Sequence, residues 1–194
     1  MDLAPVTLEG SVVRMEPLSL DHVAALTEVG LDRSLWALTS IWVSSAAEMR
    51  DYVEQALAEQ RAGTALPFAT VERATGRVIG STRFGNYVAA HRRIEIGWTW
   101  IAPRWQRTAV NTEAKLLMLT HAFDALRCRR VELKTSTRNA RSRAAMLRIG
   151  ATEEGTLRQH MINPDGSSRD SVYFSILDGE WPMMKERLAS MLSR

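Results

Sequence analysis

The stretch Glu95–Glu113, EIGWTWIAPRWQRTAVNTE, decides the fold of this 194-residue chain. It begins inside a predicted strand, Arg92–Ile101, whose side chains alternate between two faces. One predicted face carries Ile94, Ile96, Trp98 and Trp100, and the other carries Glu95, Gly97, Thr99 and Ile101. After Pro103 a basic turn leads into a helix predicted from about Asn111 to Leu126. A strand, a basic turn and a helix therefore follow one another without a break.

The flanking sequence predicts the rest of one mixed α/β domain. Period-two patterns predict strands at Val12–Met15, Leu66–Glu72, Arg77–Phe84, Val131–Thr137, Thr156–Ile162 and Ser168–Leu177. Helical spacing predicts Asp21–Val29, Ala46–Ala62, Ser142–Ile149 and Trp181–Leu192. No Gly/Ser/Pro-rich linker divides the chain, so residues 1–194 are expected to form a single α/β (α+β) domain. The expected architecture is a central mixed, mostly antiparallel sheet flanked by helices.

Composition excludes several classes of protein. The apolar fraction of 45% and the net charge of 25 − 22 = +3 are ordinary, so a polybasic nucleic-acid module is not indicated. A single cysteine, Cys128, excludes an internal disulfide framework. The longest uncharged stretch, Ser34–Ala47, is too short for a membrane span, and Met1–Gly10 lacks the order of a secretory signal. We therefore expect a cytoplasmic protein with neither a membrane nor DNA as partner.

Common catalytic motifs are missing from the sequence. There is no G-x-x-x-x-G-K, no G-x-G-x-x-G after a strand and no G-x-S-x-G. The four histidines show no paired metal spacing, so no metal site is predicted.

The basic turn before Asn111 suggests an anion site. The first turn of a helix leaves backbone N–H groups unpaired and carries partial positive charge. Arg104, Gln106 and Arg107 are delivered to that end, which suits a phosphate or diphosphate. A solvated turn is the other interpretation of the same residues.

Four motifs in order resemble the GNAT superfamily of N-acetyltransferases. Gln106–Asn111 stands in the frame of the family's Q/R-x-x-G-x-G/A loop. Arg138–Ser142 resembles the N-x-x-S/A signature, and Arg148–Ala151 resembles the end of the helix that follows it. The tail from Arg158 to Trp181 is similar to the branch that includes ribosomal-protein-alanine acetyltransferases. The likeness spans about Leu8 to Leu188.

The resemblance implies acetyl-CoA as co-substrate and a set of residues that bind it. These are Trp100, Ile101, Gln106, Arg107, Thr108, Ala109, Val110, Asn111, Asn139 and Arg141. Two positions depart from the family, which has small residues, usually glycine, where this chain has Ala109 and Asn111. An alanine keeps the amide donor, but its Cβ is tolerated only if φ is negative.

The resemblance also implies two catalytic residues. Many family members carry a tyrosine that acts as the general acid where this chain has Met146. Ser142 is therefore assigned the role of the acid. The alternative is a serine at the start of a helix whose hydroxyl binds the backbone. Glu95, expected among apolar neighbours, matches a base position, with Glu132 as runner-up and a paired structural glutamate as the alternative. Backbone N–H groups around Trp98–Ile101 would polarise the thioester carbonyl.

The predicted function is transfer of an acetyl group from acetyl-CoA to a primary amine by direct attack. The amine would belong to a protein N-terminus, such as that of a ribosomal protein, or to a small molecule. Specificity is expected from the early helices, the Trp36–Trp42 region and the loop of the last hairpin. The sequence leaves the oligomeric state open, and a homodimer is the commonest assembly by base rate. The alternative is a non-catalytic module that docks on RNA or the ribosome. Eight basic residues between Arg127 and Arg148 would serve that purpose, but for most of them a solvated helix surface is the favoured interpretation. Arg138, Arg141 and Arg143, which flank the matched asparagine, are expected to contact the cofactor.

Overall fold

One mixed sheet organises the computed structural model, which describes residues 3–193. The strands within that range are β1 (Leu8–Glu9), β2 (Val13–Pro17), β3 (Leu66–Glu72), β4 (Val78–Val88), β5 (Arg93–Ile101), β6 (Arg130–Ser136), β7 (Thr152–Ile162) and β8 (Ser168–Leu177). Their order is β1-β2-β3-β4-β5-β6-β8-β7. The pair β5/β6 is parallel and the other neighbours are antiparallel. The predicted fold class is confirmed.

Helices cover both faces of this sheet. They are α1 (Val23–Gly30), α2 (Arg33–Trp36), α3 (Ala46–Arg61), α4 (Ala109–Thr120), α5 (Ala140–Arg148) and α6 (Trp181–Leu192). The sequence did not predict β1 or α2, which are short; the Asp32 side chain caps α2 by accepting the N–H of Ser34. None of the helices in residues 3–193 has the length and apolar character needed to cross a bilayer.

Two apolar cores lie on opposite sides of the sheet. On one side, Met118 and Leu119 of α4 pack with Ile96 of β5. On the other side, Met49 and Val53 of α3 belong to a second core. Each helix layer buries one apolar stripe against one sheet face, as the helical spacing predicts.

The predicted alternation of β5 is wrong in its second half. Ile96 and Ile101 both pack in the α4 core, whereas Trp100 packs in the α3 core. The break lies at Trp98, whose φ is +51°, where three residues of β5 span the length of two residues of β4. This bulge turns later side chains to the other face. Alternation predicted Thr99 on the face of Glu95. In the structure Thr99 faces α4 instead.

The strands β5 and β6 part after a short parallel contact. Their paired residues are Arg93↔Arg130, Ile94↔Val131 and Glu95↔Glu132. Beyond this contact the β6-facing edge of β5 has no strand partner within the described chain. Side chains of Tyr52 and Gln106 bind the carbonyls of Trp98 and Ile101 there, and the other backbone groups of this edge have no strand to pair with. The parting strands position the candidate site.

Candidate active site

A cavity of about 480 Å³ lies where β5 and β6 part. Ten of the twelve predicted site residues line it: Glu95, Trp100, Ile101, Gln106, Arg107, Thr108, Asn111, Asn139, Arg141 and Ser142. Ala109 and Val110 do not line it. Ala109 is exposed, and Val110 is buried in the α4 core. The structure therefore brings most of the predicted site together from β5, the loop before α4, and α5.

At the start of α4, Ala109 meets the requirement for a φ that is not positive. Ala109 is the first helical residue and is not among the residues with positive φ. The left-handed conformation falls instead on Arg107, with φ of +61°. Thr108 caps the helix, and its Oγ1 accepts the N–H of Val110 at 3.3 Å. Because Ala109 lies outside the cavity lining, its methyl group does not fill the cavity.

A side-chain bridge joins the starts of α4 and α5. Gln106 Nε2 donates to the carbonyl of Ile101 at 2.7 Å, and its Oε1 accepts from Arg141 Nη1 at 2.8 Å. Asn139 caps α5 by accepting the N–H of Ser142 at 3.0 Å. Two helix N-termini and the guanidinium of Arg141 thus converge on one end of the cavity, an arrangement suited to phosphate groups.

Arg148 adds a positive charge that sequence reasoning missed. It lines the cavity, and its Nη2 donates to Thr112 Oγ1 at 3.0 Å. Arg148 belongs to the segment that resembles the end of the family's helix, but this position did not predict that its side chain lines the cavity. The orientation of the side chain depends on how α5 packs against α4.

Half of the eight basic residues between Arg127 and Arg148 are paired with acids, Lys134 with Glu95 among them. Arg129 lies 3.8 Å from Asp178, and Arg143 lies 3.2 Å from Glu153. Arg130 contacts Glu154 at 2.7 Å. Such pairing lowers the positive field that would attract a nucleic acid. This pairing argues against nucleic-acid binding by the four paired residues.

The Ser142 hydroxyl faces the cavity without an internal partner. Ser142 lines the cavity, and its Oγ makes no hydrogen bond to any residue in the range 3–193. Met146, one turn further along α5, lines the cavity as well. The alternative role for Ser142, a hydroxyl bonded to backbone, is not observed.

Glu95 is buried against polar groups, and the expectation of apolar neighbours is wrong. The residue is 2% exposed, and its Oε2 accepts from Lys134 Nζ at 3.0 Å and from Asn86 Nδ2 at 2.8 Å. Its Oε1 accepts no hydrogen bond from the described residues and lies next to Gly97, where an added Cβ would approach it to 2.8 Å. Glu95 is thus a paired glutamate with one oxygen uncommitted.

Glu132, the runner-up, is held away from the cavity. Its Oε2 accepts from Arg93 Nη1 and its Oε1 accepts from Arg130 Nε, both at 2.9 Å. It is not among the residues that line the cavity. With both oxygens bound to arginines, Glu132 has no route to a substrate there.

The sequence did not predict two buried cations that line the cavity. Lys115 is 7% exposed, and its Nζ donates to Thr99 Oγ1 at 3.0 Å. Burial lowers the pKa of the Lys115 amine to about 7. Arg169 of β8 is 8% exposed; burial lowers the pKa of its guanidinium, against a smaller opposing effect of the Glu95 charge. For Lys115 a signal existed, because it follows Asn111 by four residues and shares its helix face.

The uncharged stretch around α2 forms the opposite wall. Its members that line the cavity are Leu35, Trp36, Leu38, Thr39, Ser40 and Ile41. Tyr52 of α3 joins them, and its hydroxyl donates to the carbonyl of Trp98 at 3.4 Å. This wall lies in the region expected to give specificity.

A sheet that opens between two parallel strands, with two helix N-termini and arginines at the opening, defines an acyl-CoA N-acyltransferase-like domain. Residues 13–152 match the family model described as acetyltransferase (GNAT) domain. The chain therefore belongs to the GNAT acetyltransferase family, whose members take the acetyl group from acetyl-CoA.

Relatives and solved structures agree with this family. The Bacillus subtilis protein YdaF, provisionally named a ribosomal N-acetyltransferase, is 35% identical over 106 residues, which is 55% of this chain and 57% of YdaF. The match thus spans less than two thirds of that relative. A GCN5-related N-acetyltransferase from Brucella melitensis superposes with a TM-score of 0.88 at 31% identity, covering 97% of this chain and 86% of the other. Mycobacterium smegmatis RimJ, solved in complex with CoA-disulfide, gives 0.83 at 25% identity, with 98% and 96% covered.

Proposed function

We propose that this protein is an N-acetyltransferase that moves the acetyl group of acetyl-CoA to a primary amine by direct attack. The observation that carries the proposal is the cavity between β5 and β6. It has phosphate-binding groups at one end and a carboxylate, Glu95, farther along β5. Family membership supports the same reaction. No activated cysteine contributes, because burial raises the pKa of the Cys128 thiol to about 11.

The residues at the start of α4 and α5 fit the phosphates of coenzyme A. Arg107, Arg141 and Arg148 all line this end of the cavity. Their charge and the two helix N-termini would hold the diphosphate. The edge of β5 from Trp98 to Ile101 has no strand partner, and its backbone groups other than the bonded carbonyls of Trp98 and Ile101 are available to the extended arm. When bound, acetyl-CoA supplies the acetyl group as a thioester.

Glu95 is the proposed base. An amine must be neutral before its nitrogen lone pair can attack, so a proton has to leave it. Among the described residues, Glu95 is the one carboxylate that lines the cavity. Lys134 and Asn86 hold Oε2 in place, which leaves Oε1 to accept that proton directly or through a water molecule.

Ser142 is the proposed acid. Its hydroxyl lines the cavity and has no partner among residues 3–193, so it is available to protonate the departing thiolate. Asn139 fixes the first turn of α5 and thereby the position of Ser142.

The proposed acceptor is the primary amine of a protein N-terminus or of a small molecule. The name of YdaF points to ribosomal proteins as one source. A homodimer in the cytoplasm is the proposed form of the protein, and sedimentation of the purified protein tests the assembly.

Thiol release from acetyl-CoA, measured with a panel of amines, tests the function. We expect release that depends on an added amine and a product heavier by one acetyl group. Both should fall in Glu95→Gln and Ser142→Ala and persist in the exposed control Glu54→Gln. Salt-dependent RNA binding without acetyl-CoA affinity would instead support the non-catalytic alternative and overturn the proposal.

A further inference from the structure

Arg169 is a buried guanidinium that makes no ion pair with an anion of the described residues. It is 8% exposed and lines the cavity. Its Nε is buried and has no hydrogen-bond partner, and its guanidinium forms no ion pair with any residue from 3 to 193. A guanidinium stays protonated at any physiological pH. Burying such a charge without a partner is unfavourable. An arginine in this state is therefore available to donate hydrogen bonds to a bound ligand.

The register of β8 places Arg169 on the face of the sheet opposite α4. Val172 and Phe174 pack in the α4 core, so Ser171 and Tyr173, which alternate with them, point the other way. Arg169 continues that alternating row. Across the ladder, Tyr173 pairs with Lys134. Arg169 thus shares the face of the Lys134–Glu95 pair, away from the helix start proposed for the coenzyme A phosphates.

The charges that line the cavity compensate Arg169 only in part, through the charge of Glu95, with which it makes no ion pair. Lys134 is paired with the one lining carboxylate of the described chain, Glu95. Lys115 can release its proton near neutral pH, because its pKa is lowered to about 7. Arg169 can do neither. The face of the cavity that would receive the amine therefore carries one fixed positive charge in excess.

Further polar atoms without partners lie on the same hairpin. The Ser171 hydroxyl and His160 Nδ1 are buried and make no hydrogen bond within the described residues. His160 packs edge-on against Tyr173 with ring centroids 5.5 Å apart, which places it on the face of Arg169. Buried polar atoms are nearly always satisfied in native proteins. Of these three residues Arg169 is the one that lines the cavity, so its unpartnered Nε points to a polar ligand there.

We propose that Arg169 binds a carboxylate group of the acceptor, so that the enzyme acetylates amines of molecules that also carry a carboxylate. The inference rests on the proposed function, because it names the substrate class of that reaction. The carboxylate is the α-carboxylate of a free amino acid or an acidic side chain near a peptide N-terminus. A guanidinium binds a carboxylate through two parallel hydrogen bonds, and a carboxamide cannot accept both.

Product analogues test this proposal without requiring transfer. N-acetylalanine is compared with N-acetylalaninamide, and N-acetyl-Ala-Glu-amide is compared with N-acetyl-Ala-Gln-amide. Binding is followed by tryptophan fluorescence, because Trp36, Trp98 and Trp100 line the cavity. In one of these two pairs we expect the compound with the carboxylate to bind roughly 10- to 100-fold more tightly than the compound with the carboxamide. The pair that discriminates identifies the source of the carboxylate.

Variants separate Arg169 from general charge effects. Arg169→Gln should abolish the discrimination, and Arg169→Lys should keep part of it. Arg158→Gln, an exposed change on the neighbouring strand, should leave it intact. Equal binding within both pairs, including no binding of any probe up to its solubility, overturns the proposal, as does discrimination that survives in Arg169→Gln. If discrimination is found but thiol release is absent, the proposed function alone fails.

Discussion

Glu95 and Glu132 pair directly across the parallel strands β5 and β6, as the last residues in register before the strands part. Only Glu95 lines the cavity that opens beyond them. Two carboxylates in the same ladder position thus have different surroundings. Two arginines occupy both oxygens of Glu132, whereas Lys134 and Asn86 occupy a single oxygen of Glu95.

The first prediction follows from this difference. Glu95→Gln should lower kcat by about 10²- to 10⁴-fold, because the amide cannot take a proton from the attacking amine. Glu132→Gln should leave kcat nearly unchanged but lower the free energy of unfolding by about 1–3 kcal/mol, since Arg93 and Arg130 lose a charged acceptor. Steady-state kinetics and urea unfolding of both variants measure the two effects. Equal loss of kcat in the two variants would refute the assignment.

The second prediction concerns the proposed acid. Ser142→Ala should lower kcat by about tenfold or more and leave the KM for acetyl-CoA unchanged, because a hydroxyl that protonates the thiolate acts only during the reaction. Ser190→Ala, on the exposed side of α6, is the matched control. A KM that rises while kcat stays constant would show instead that Ser142 contributes to binding.

The third prediction concerns Lys115. Its pKa is about 7 in the folded protein and near 10.5 in the unfolded chain, so between these values the unfolded chain binds more protons. Stability should therefore rise with pH in that window, and the penalty of the buried ammonium is complete below pH 7. Lys115→Met should stabilise the protein at pH 6, and its advantage should shrink by roughly 2–3 kcal/mol by pH 9.

Urea unfolding at both pH values, with the exposed Lys185→Met as control, measures this change. The Lys185 variant should show the same stability difference at both pH values, because its partner Asp124 stays ionised and Lys185 is half exposed. An advantage of Lys115→Met that does not depend on pH would mean that the lysine is not buried as an ammonium.

Local sequence patterns predicted elements well where one periodicity governs them. Leu66–Glu72 and Trp181–Leu192 have the bounds that their spacing predicted. The bulge at Trp98 was not predicted, because apolar residues alternate regularly from Ile94 to Trp100. The shift in register arises only from the pairing of β5 with β4. A regular pattern in one strand does not reveal an extra residue relative to its neighbour.

The candidate site was predictable where a motif or a chain neighbour marks it. Gln106, Asn139 and Arg141 come from short segments that resemble family motifs, and all three line the cavity. Arg169 and Lys134 were not predicted, because their surroundings depend on how β8 pairs with β7 and with β6. Single residues on strands give no sign of which ligand or charge they will face.

Calorimetric titration with acetyl-CoA tests the central claim most directly. The account predicts saturable one-to-one binding with a dissociation constant in the range of about 1 μM to 1 mM. Arg141→Ala should weaken this binding about tenfold, while Arg143→Ala, which loses only its contact with Glu153, should not change it. An absence of heat at high concentrations of protein and acetyl-CoA, with the chain folded by circular dichroism, would contradict the account.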